Sequence, residues 1–545
     1  MRSLLIQVRQ CLGRRHIKTG SVSTRFAALR EALCLGSELA GLTWTLAPHR
    51  LLKVGIGYLL LSLKLMMLVS SASASSERVC VDREVEALLR IEEKTVCSLI
   101  PVPLDHNDPS QGTIELRVVT LPATSRNPKS DPMVFIAGGP GQSAVRTAPF
   151  FLNPHRALRT DRDFVFVDQR GTGGSASLAC ASDLDALFSK ELQWWMTQET
   201  AIQAQKDALA QCLTNLPYSP RHFTTKAAVI DLAIVLGQLG YDQVNLFGVS
   251  YGTRMALSFL RDYEAFVRTM ILDAVAPHAM VIPAQVVKDA RASLEQVLEA
   301  CRLDAACSAR FPNIQEKLTL ATTRLEGVSG LISTTDPLTG EIINIATWPD
   351  MLSNILRAGL YSRELIRLFP LALERGSEGD FGPLVAIAAM LAQESPDDLS
   401  LGMMASVLCS EDMTRLSGAG DASEERNPLR DSMAEICSFW PHDIALDAEF
   451  APVISSVPTL LLSGRFDPIT PPHYAESIRS DLSQSQHIVV AGGAHGVSSL
   501  GCVPKVVESF VKTPDPGGLD VACTRDIQVA PFFLSPAGAY RLSDD

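Results

Sequence analysis

Nine residues carry the strongest structural signal in this 545-residue chain: Val244-Asn245-Leu246-Phe247-Gly248-Val249-Ser250-Tyr251-Gly252. The first four form a short, mostly apolar run that is typical of a buried strand, and the last five match the pattern G-x-S-x-G. The pattern alone is a weak signal, because about one chain in five of this length contains it by chance. A strand before it and a helical pattern over 253–263 after it place Ser250 on a sharp strand-to-helix turn. The stretch therefore predicts a serine nucleophile presented at the edge of a sheet.

Other short apolar runs end in the same way, at a glycine, an aspartate or a serine. They are 133–136, 164–167, 270–272, 459–462 and 487–490, and residues 113–119 alternate apolar and polar side chains as a half-buried strand does. Helical patterns lie between several of these runs, as in 224–239. Apolar strands that alternate with helices predict a mostly parallel sheet covered on both faces, with ligands bound at the carboxyl ends of the strands.

Residues 281–445 interrupt this alternation. Helical patterns rich in leucine and alanine dominate there, over 285–300, 350–374 and 383–393, and no convincing buried strand separates them. Because strand patterns return at 459, we interpret 281–445 as a helical cap inserted into a core made of 75–280 and 446–545. A separate helical domain is the alternative.

The first 74 residues have the features of an export leader. An apolar run from Val54 to Val69 follows two basic residues, and Ala72-Ser73-Ala74 offers a small-residue cleavage site. The run is about 16 residues long and contains Lys64, whereas a membrane span needs roughly 20 residues. We therefore predict a signal peptide within 1–74, a secreted or periplasmic protein, and no stable membrane insertion after cleavage. A membrane anchor is the alternative.

The cysteines agree with export. Of 12 cysteines, ten follow the leader: Cys80, Cys97, Cys180, Cys212, Cys301, Cys307, Cys409, Cys437, Cys502 and Cys523. An even number favours disulfide bonds over free buried thiols. Pairing neighbours along the chain is a first guess, because connectivity does not follow from sequence. No CxxC pair or close Cys/His cluster occurs, so a zinc site is not expected.

The charge distribution argues against one class of partner. The chain has a net charge of −12, and the first 74 residues carry +8, which leaves −20 for the rest. A strongly acidic body repels phosphate backbones, so we do not expect a nucleic-acid partner.

A serine nucleophile needs a base, and the base needs an acid that orients it. On strand-to-helix turns of this type, the acid follows the serine along the chain and the histidine follows the acid. Asp467 comes after the strand at 459–462, and His495 comes after the strand at 487–490. We predict that Ser250, Asp467 and His495 form a catalytic triad that needs neither cofactor nor metal. A turn aspartate and a surface histidine are the structural alternatives.

The negative charge that develops on the attacked carbonyl oxygen needs backbone N–H donors. We expect one donor to be Tyr251, directly after the nucleophile, and the other to be Gly139 in the loop Gly138-Gly139-Pro140-Gly141. Glycines let the backbone of such a loop approach the oxyanion closely; a plain turn is the alternative. The run Asp168-Gln169-Arg170 is interpreted as structural, holding this loop in place.

Together these motifs resemble the secreted tripeptidyl aminopeptidases and the related proline iminopeptidases, which are α/β-hydrolases. The matching segments are 138–141, 167–173, 245–254, 462–468 and 493–496, and the resemblance covers most of 80–525, least well in the cap. Ala137 stands where proline iminopeptidases usually have histidine, and Tyr251 stands where they often have tryptophan. Both differences favour the tripeptidyl branch.

The resemblance implies an α/β-hydrolase fold, with a mostly parallel central sheet, flanking helices and a helical cap, and a peptide substrate that is cleaved near a free N-terminus. An exopeptidase must recognise an ammonium group, and a buried carboxylate does so through charge-assisted hydrogen bonds. Glu411 and Asp412 follow Cys409 in the cap, in a Cys-x-acid stretch similar to that of the family, so we predict that they bind substrate. A solvated acidic turn is the alternative.

Two other functions remain open at this point. One is an esterase or other acyl hydrolase that uses the same triad, because fold and triad do not fix the substrate. The other is a non-catalytic binding protein that kept the fold.

Overall fold

One eight-stranded sheet organises the part of the chain that a computed structural model describes, namely residues 80–91, 94–180, 198–328, 330–335, 339–348, 350–391, 399–416 and 427–539. In chain order the strands are β1 (Val96–Pro103), β2 (Thr113–Leu121), β3 (Met133–Ile136), β4 (Phe164–Val167), β5 (Val244–Val249), β6 (Val267–Asp273), β7 (Leu331–Thr335), β8 (Ile342–Ala346), β9 (Thr459–Gly464) and β10 (Ser485–Val490). The strand order in the sheet is β1-β2-β4-β3-β5-β6-β9-β10, and β7 pairs with β8 in a separate hairpin.

The sheet is mostly parallel, which confirms the prediction. β2 pairs antiparallel with β1 and with β4, and every other neighbouring pair in the sheet is parallel. The predicted strands are present with small changes at their ends, but β1 was not predicted. Its sequence contains Pro101 and Pro103, which weaken a strand signal, and β1 tolerates them because it lies at the edge of the sheet.

Helices cover both faces of the sheet. They are α1 (Arg83–Ile91), α2 (Ala144–His155), α3 (Gln198–Asn215), α4 (Thr225–Leu239), α5 (Tyr251–Tyr263), α6 (Ile282–Leu303), α7 (Ala305–Arg310), α8 (Ile314–Glu326), α9 (Met351–Gly359), α10 (Arg363–Ile366), α11 (Phe369–Glu378), α12 (Gly382–Leu391), α13 (Leu401–Val407), α14 (Pro428–Cys437), α15 (Pro472–Arg479) and α16 (Val503–Lys512). Along β3, Val134 and Ile136 pack with α4 and α5, whereas Met133 and Phe135 pack on the other face with α2 and α16. This alternation explains why β3 is apolar at every position.

The segment between β6 and β9 contains α6 to α14, and it supplies most of one apolar cluster, which Phe466, Ala494, Phe532 and Leu534 complete. The single helical pattern predicted over 350–374 is three helices here, α9, α10 and the first part of α11. The hairpin of β7 and β8 was not predicted, because its strands are short and partly exposed. The segment is therefore mainly helical, with one small hairpin.

Five disulfide bonds join the ten cysteines as neighbours along the chain: Cys80–Cys97, Cys180–Cys212, Cys301–Cys307, Cys409–Cys437 and Cys502–Cys523. The predicted signal peptide within 1–74 lies outside the described residues. Within the described ranges, no helix is long and apolar enough to cross a membrane.

Candidate active site

Ser250 lies on a tight turn between the end of β5 and the start of α5. Its backbone has φ 56° and ψ −127°, a region that non-glycine residues rarely occupy and that stores strain. A side chain at Gly248 would lie 2.6 Å from the carbonyl oxygen of Gly252, and one at Gly252 would lie 2.4 Å from the oxygen of Ile136. Both glycines of the motif are therefore required by the close approach of backbone to backbone, and Ser250 remains partly exposed.

The Gly138–Gly141 loop lies directly over this turn. A Cβ atom at Gly138 would be 3.0 Å from the Cβ of Ser250 and 2.9 Å from the carbonyl oxygen of Val249. Gly139, the predicted oxyanion donor, is exposed and has φ 103°. Tyr251 is the first residue of α5, so its N–H lies in the first turn of that helix, where the helix dipole favours negative charge. The structure thus brings the predicted nucleophile and both predicted donor segments together.

Asp168 fixes the position of this loop. Its carboxylate accepts hydrogen bonds from the Ser143 hydroxyl at 2.7 Å and from the Val145 N–H at 3.1 Å, just after the glycines. The Arg117 guanidinium donates to the same carboxylate at 2.7 Å. The structural role inferred for the run at 168–170 is consistent with these contacts.

Asp467 and His495 meet at the carboxyl ends of β9 and β10. The Nδ1 atom of His495 lies 3.0 Å from Oδ1 and 2.9 Å from Oδ2 of Asp467. Asp467 is fully buried and also accepts hydrogen bonds from the N–H groups of Ile469 and Thr470. Because Nδ1 faces the carboxylate, Nε2 is the nitrogen that can serve a nucleophile. Among the described residues, no hydrogen bond joins the side chains of Ser250 and His495; such contacts often tighten only when substrate binds.

Asp467 and His495 each stabilise the charged form of the other. Burial alone would raise the pKa of Asp467, but the nearby His495 and the hydrogen bonds to the carboxylate lower it below its usual value. Burial alone would lower the pKa of His495, but the carboxylates of Asp467 and Asp273 raise it above its usual value. An ionised acid that stabilises a protonated imidazole is what general-base catalysis requires of this pair.

Two neighbours of the pair were missed by sequence reasoning. The Thr470 hydroxyl donates to Asp467 Oδ2 at 2.8 Å and lies 3.3 Å from His495 Nδ1. The ring of Tyr361, between α9 and α10, packs edge-to-face on the His495 ring with centroids 5.0 Å apart. A hydroxyl three residues after an aspartate in a turn is a recognisable signal for Thr470. No local pattern could have pointed to Tyr361, because its contact spans 134 positions of the chain.

Glu411 and Asp412 lie in a π-helical turn, Leu408–Asp412, at the end of α13. Glu411 is buried, and its two oxygens accept from the Thr225 N–H at 2.8 Å and the Thr225 hydroxyl at 2.7 Å. The same hydroxyl lies 2.6 Å from the Tyr251 hydroxyl, so a hydrogen-bond chain leads from Glu411 to the residue after the nucleophile. Burial raises the pKa of Glu411 to about 7, against the opposing influence of Arg254 and Thr225.

Asp412 is fully buried and paired with a cation. Its Oδ2 accepts from Arg254 of α5 at 2.8 Å, and its Oδ1 accepts from the Ile282 N–H at 2.9 Å. The predicted substrate-binding acids therefore already have protein partners, and both fasten the inserted segment to the helices beside Ser250. Their binding of substrate stays a prediction. Among the described residues, no His, Cys, Asp and Glu side chains group as metal ligands would.

Comparison with known proteins places the fold in a family. Residues 131–501 match the family described as alpha/beta hydrolase fold, which is more than half of the chain. The chain belongs to this α/β-hydrolase family. The resemblance drawn from the motifs is confirmed at that level.

Two curated relatives share part of the sequence. The serine protease Hip1 of Mycobacterium tuberculosis (strain ATCC 25618 / H37Rv) is 27% identical over 234 residues, which cover 40% of this chain and 44% of that protein. A tripeptidyl aminopeptidase of Streptomyces lividans is 26% identical over 213 residues, which cover 37% of this chain and 40% of that protein. The chain thus matches less than half the length of each relative.

Among solved structures, a proline iminopeptidase from Mycobacterium smegmatis aligns with a TM-score of 0.36 at 13% identity, over 77% of this chain and 99% of that one. An esterase from Exiguobacterium antarcticum aligns with a TM-score of 0.36 at 15% identity, over 77% of this chain and 100% of that one. Similarity this distant does not distinguish a peptidase from an esterase.

Proposed function

We propose that this protein is a serine hydrolase that cleaves peptides near a free N-terminus, in the manner of a tripeptidyl or prolyl aminopeptidase. The observation that carries the hydrolase part is the Asp467–His495 pair, which lies at the same edge of the sheet as the strained turn of Ser250. The peptide part is supported by the partial similarity to proteins named as a serine protease and a tripeptidyl aminopeptidase.

The proposed mechanism is acyl transfer. His495 Nε2 takes the proton of the Ser250 hydroxyl while its oxygen attacks the scissile carbonyl carbon. The N–H groups of Tyr251 and Gly139 stabilise the resulting oxyanion. The protonated His495 then gives its proton to the leaving amine, which leaves an ester on Ser250. Water, deprotonated by His495, hydrolyses this ester, and Asp467 stabilises the imidazolium in both steps.

We further infer that 281–445 acts as a cap on a core formed by 75–280 and 446–545. Tyr361 of this segment contacts His495, and Glu411 and Asp412 contact Thr225 and Arg254 of the core. A segment that touches the catalytic base limits how far a polypeptide can extend across the site. Such a limit favours short peptides or chain ends over the middle of a folded substrate.

The substrate ammonium would be bound by the acidic pair in the cap. Because both carboxylates are buried and already accept protein hydrogen bonds, an ammonium would have to use their remaining acceptor sites or displace one of these donors. Giving up a present hydrogen-bond donor should cost less free energy at Glu411 than at Asp412. The donors to Glu411 are a neutral hydroxyl and an N–H, whereas the donor to Asp412 is a buried arginine. We therefore assign the larger share of ammonium recognition to Glu411.

We also infer that the protein is exported. Five disulfide bonds are stable in an oxidising compartment and rare in the cytosol, and this agrees with the signal peptide predicted within 1–74. Such an enzyme is secreted or periplasmic.

Two measurements test the activity. A fluorophosphonate probe should label the wild-type protein and not Ser250→Ala. Ser258→Ala is a matched control, because Ser258 lies on α5 and its hydroxyl is 2.8 Å from His278 Nε2, yet it is buried. Absence of labelling in a folded wild-type protein would favour a non-catalytic binding protein.

The second measurement compares tripeptide reporters with free and with acetylated N-termini. An aminopeptidase cleaves the free form and leaves the acetylated form intact. Equal rates on both forms, or faster turnover of simple esters, would contradict the exopeptidase assignment and favour the esterase alternative.

A further inference from the structure

Asp273, the last residue of β6, lies between the nucleophile and the base. It is 1% exposed. Its backbone carbonyl accepts the Ser250 N–H at 2.9 Å. Its carboxylate accepts the N–H of Val497 at 2.9 Å to each oxygen and the N–H of Ser498 at 2.8 Å. One residue thus holds the strained turn with its backbone and the loop that follows His495 with its side chain.

The partners of Asp273 differ from those of the other buried aspartates. In the described chain the other buried aspartates outside the candidate triad accept from an arginine or a tyrosine: Asp168 from Arg117, Asp231 from Arg170, Asp412 from Arg254, and Asp289 from Tyr474. Asp273 forms no ion pair with a lysine or arginine in the described ranges; the titratable group that its charge faces is His495. Burying a carboxylate without a cation costs free energy of folding. The position of Asp273 near His495 therefore suggests that its charge has a function there.

His495 is therefore surrounded by two carboxylates and one aromatic ring. Asp467 contacts Nδ1 directly, Tyr361 packs on the ring, and Asp273, which accepts from the N–H groups two and three residues after His495, acts through its charge. Burial raises the pKa of Asp273 above its usual value, and the N–H donors of Val497 and Ser498 and the charge of His495 oppose this rise by favouring the ionised form.

We propose that Asp273 is a positioning residue for His495: its carboxylate sets the distance of the His495 loop from the nucleophile turn and adds negative charge that stabilises the protonated base. The inference rests on the proposed function of Ser250 and His495. It goes beyond the triad, because it gives the residue that ends β6 a part in the same reaction.

The test measures the rate of fluorophosphonate labelling of Ser250 as a function of pH, which needs no knowledge of the natural substrate. The labelling rate rises as His495 loses its proton, so the midpoint of the profile reports the pKa of His495. Asp273→Asn removes the charge and offers an N–H₂ group where the loop donates an N–H. We expect the midpoint to move to lower pH by about 0.5 to 1 unit and the plateau rate to fall roughly 10-fold or more.

Asp131→Asn is the matched control. Asp131 is a partly buried carboxylate at the amino ends of β3 and β5, where it pairs with Arg162 and accepts from Asn245. Its substitution should leave the midpoint and the plateau unchanged. A shift of the midpoint in this variant equal to that of Asp273→Asn would overturn the proposal.

Ser498→Ala provides a milder second variant if Asp273→Asn fails to fold. It removes the Ser498 side-chain hydrogen bond that favours the ionised form of Asp273, and we expect a smaller shift of the midpoint in the same direction. A reduced plateau with an unchanged midpoint would reduce Asp273 to a structural role and overturn the proposal, as would unchanged labelling. Failure of the proposed function is distinguishable, because the wild-type protein itself would then not be labelled, and the inference would fall with it.

Discussion

His155, the last residue of α2, makes the stability of this protein sensitive to acid. The side chain is 2% exposed, both ring nitrogens lack a hydrogen-bond partner, and the ring packs on Phe247 with centroids 5.3 Å apart. Burial lowers the pKa of His155 from 6.5 to about 4. We predict that His155→Phe, which keeps an aromatic ring and removes the buried nitrogens, stabilises the protein, and more so as the pH falls.

The sign and the size follow from proton linkage. Between pH 6.5 and 4 the unfolded chain binds a proton at His155 and the folded protein does not, so the free energy of unfolding falls as the pH falls. At about 1.4 kcal/mol per pKa unit, the loss reaches about 3 kcal/mol at pH 4. The variant lacks this loss. At pH 7.5 it should still gain about 1 to 3 kcal/mol, because two polar atoms without partners are no longer buried.

Urea unfolding at pH 7.5, 6.0, 5.0 and 4.5, followed by tryptophan fluorescence, to which the buried Trp440 contributes, measures the difference. His473→Phe is the control, because it makes the same replacement at an exposed position. A stability gain of His155→Phe that is the same at all four pH values would refute the reasoning, since it would mean that the folded protein protonates His155 as readily as the unfolded chain does.

Three further predictions concern the candidate site. Thr470→Val should lower kcat roughly 10-fold with little change in KM, because the hydroxyl that donates to Asp467, the proposed acid of the triad, is lost. Thr470→Ser should retain the activity, and steady-state kinetics on any reporter that is turned over decides this. Tyr361→Ala should lower kcat/KM roughly 5-fold, the equivalent of about 1 kcal/mol for an aromatic pair, while Tyr361→Phe keeps the contact with His495; equal losses in both variants would contradict the ring-packing argument. The free energy of unfolding of the wild type should fall by up to about 3 kcal/mol as pH rises from 4.5 to 7, because burial raises the pKa of Glu411 to about 7 in the folded state. Glu411→Gln should remove this fall. Urea unfolding at pH 5 and 8 checks it, and an effect of the substitution that is independent of pH would argue against it.

The sequence was informative wherever a short pattern coincides with a complete local unit. The strand-turn-helix around Ser250 is such a unit, and so are the strand ends that carry Asp467 and His495. The parallel order of the strands then brings these separate loops to one edge of the sheet, which general rules for α/β folds predict. β1 could not be predicted in the same way, because its two prolines are acceptable only at the edge of the finished sheet.

The residues that sequence reasoning missed or described incompletely depend on contacts between distant segments. Asp273 follows a recognisable strand, but its importance arises from the Ser250 turn behind it and from a loop more than 220 residues further along the chain. Tyr361 contacts His495 only because the inserted segment returns to the strand ends. For Glu411, the sequence indicated an acid in the cap but could not indicate that Thr225 already occupies both of its oxygens.

The buried aspartates show how the same side chain serves two purposes in this fold. Asp168, Asp231 and Asp412 each pair with a buried arginine, and each pair joins segments that are distant in the chain. Such pairs add little net stability, but loss of one partner costs about 3 to 5 kcal/mol, so they specify one arrangement of the loops. Asp467 and Asp273 have no arginine partner in the described residues, and their charge acts on His495 instead. Replacing both members of an arginine pair with apolar residues of similar volume should therefore reduce the hydrolase activity far less than removing the charge of Asp273 or Asp467.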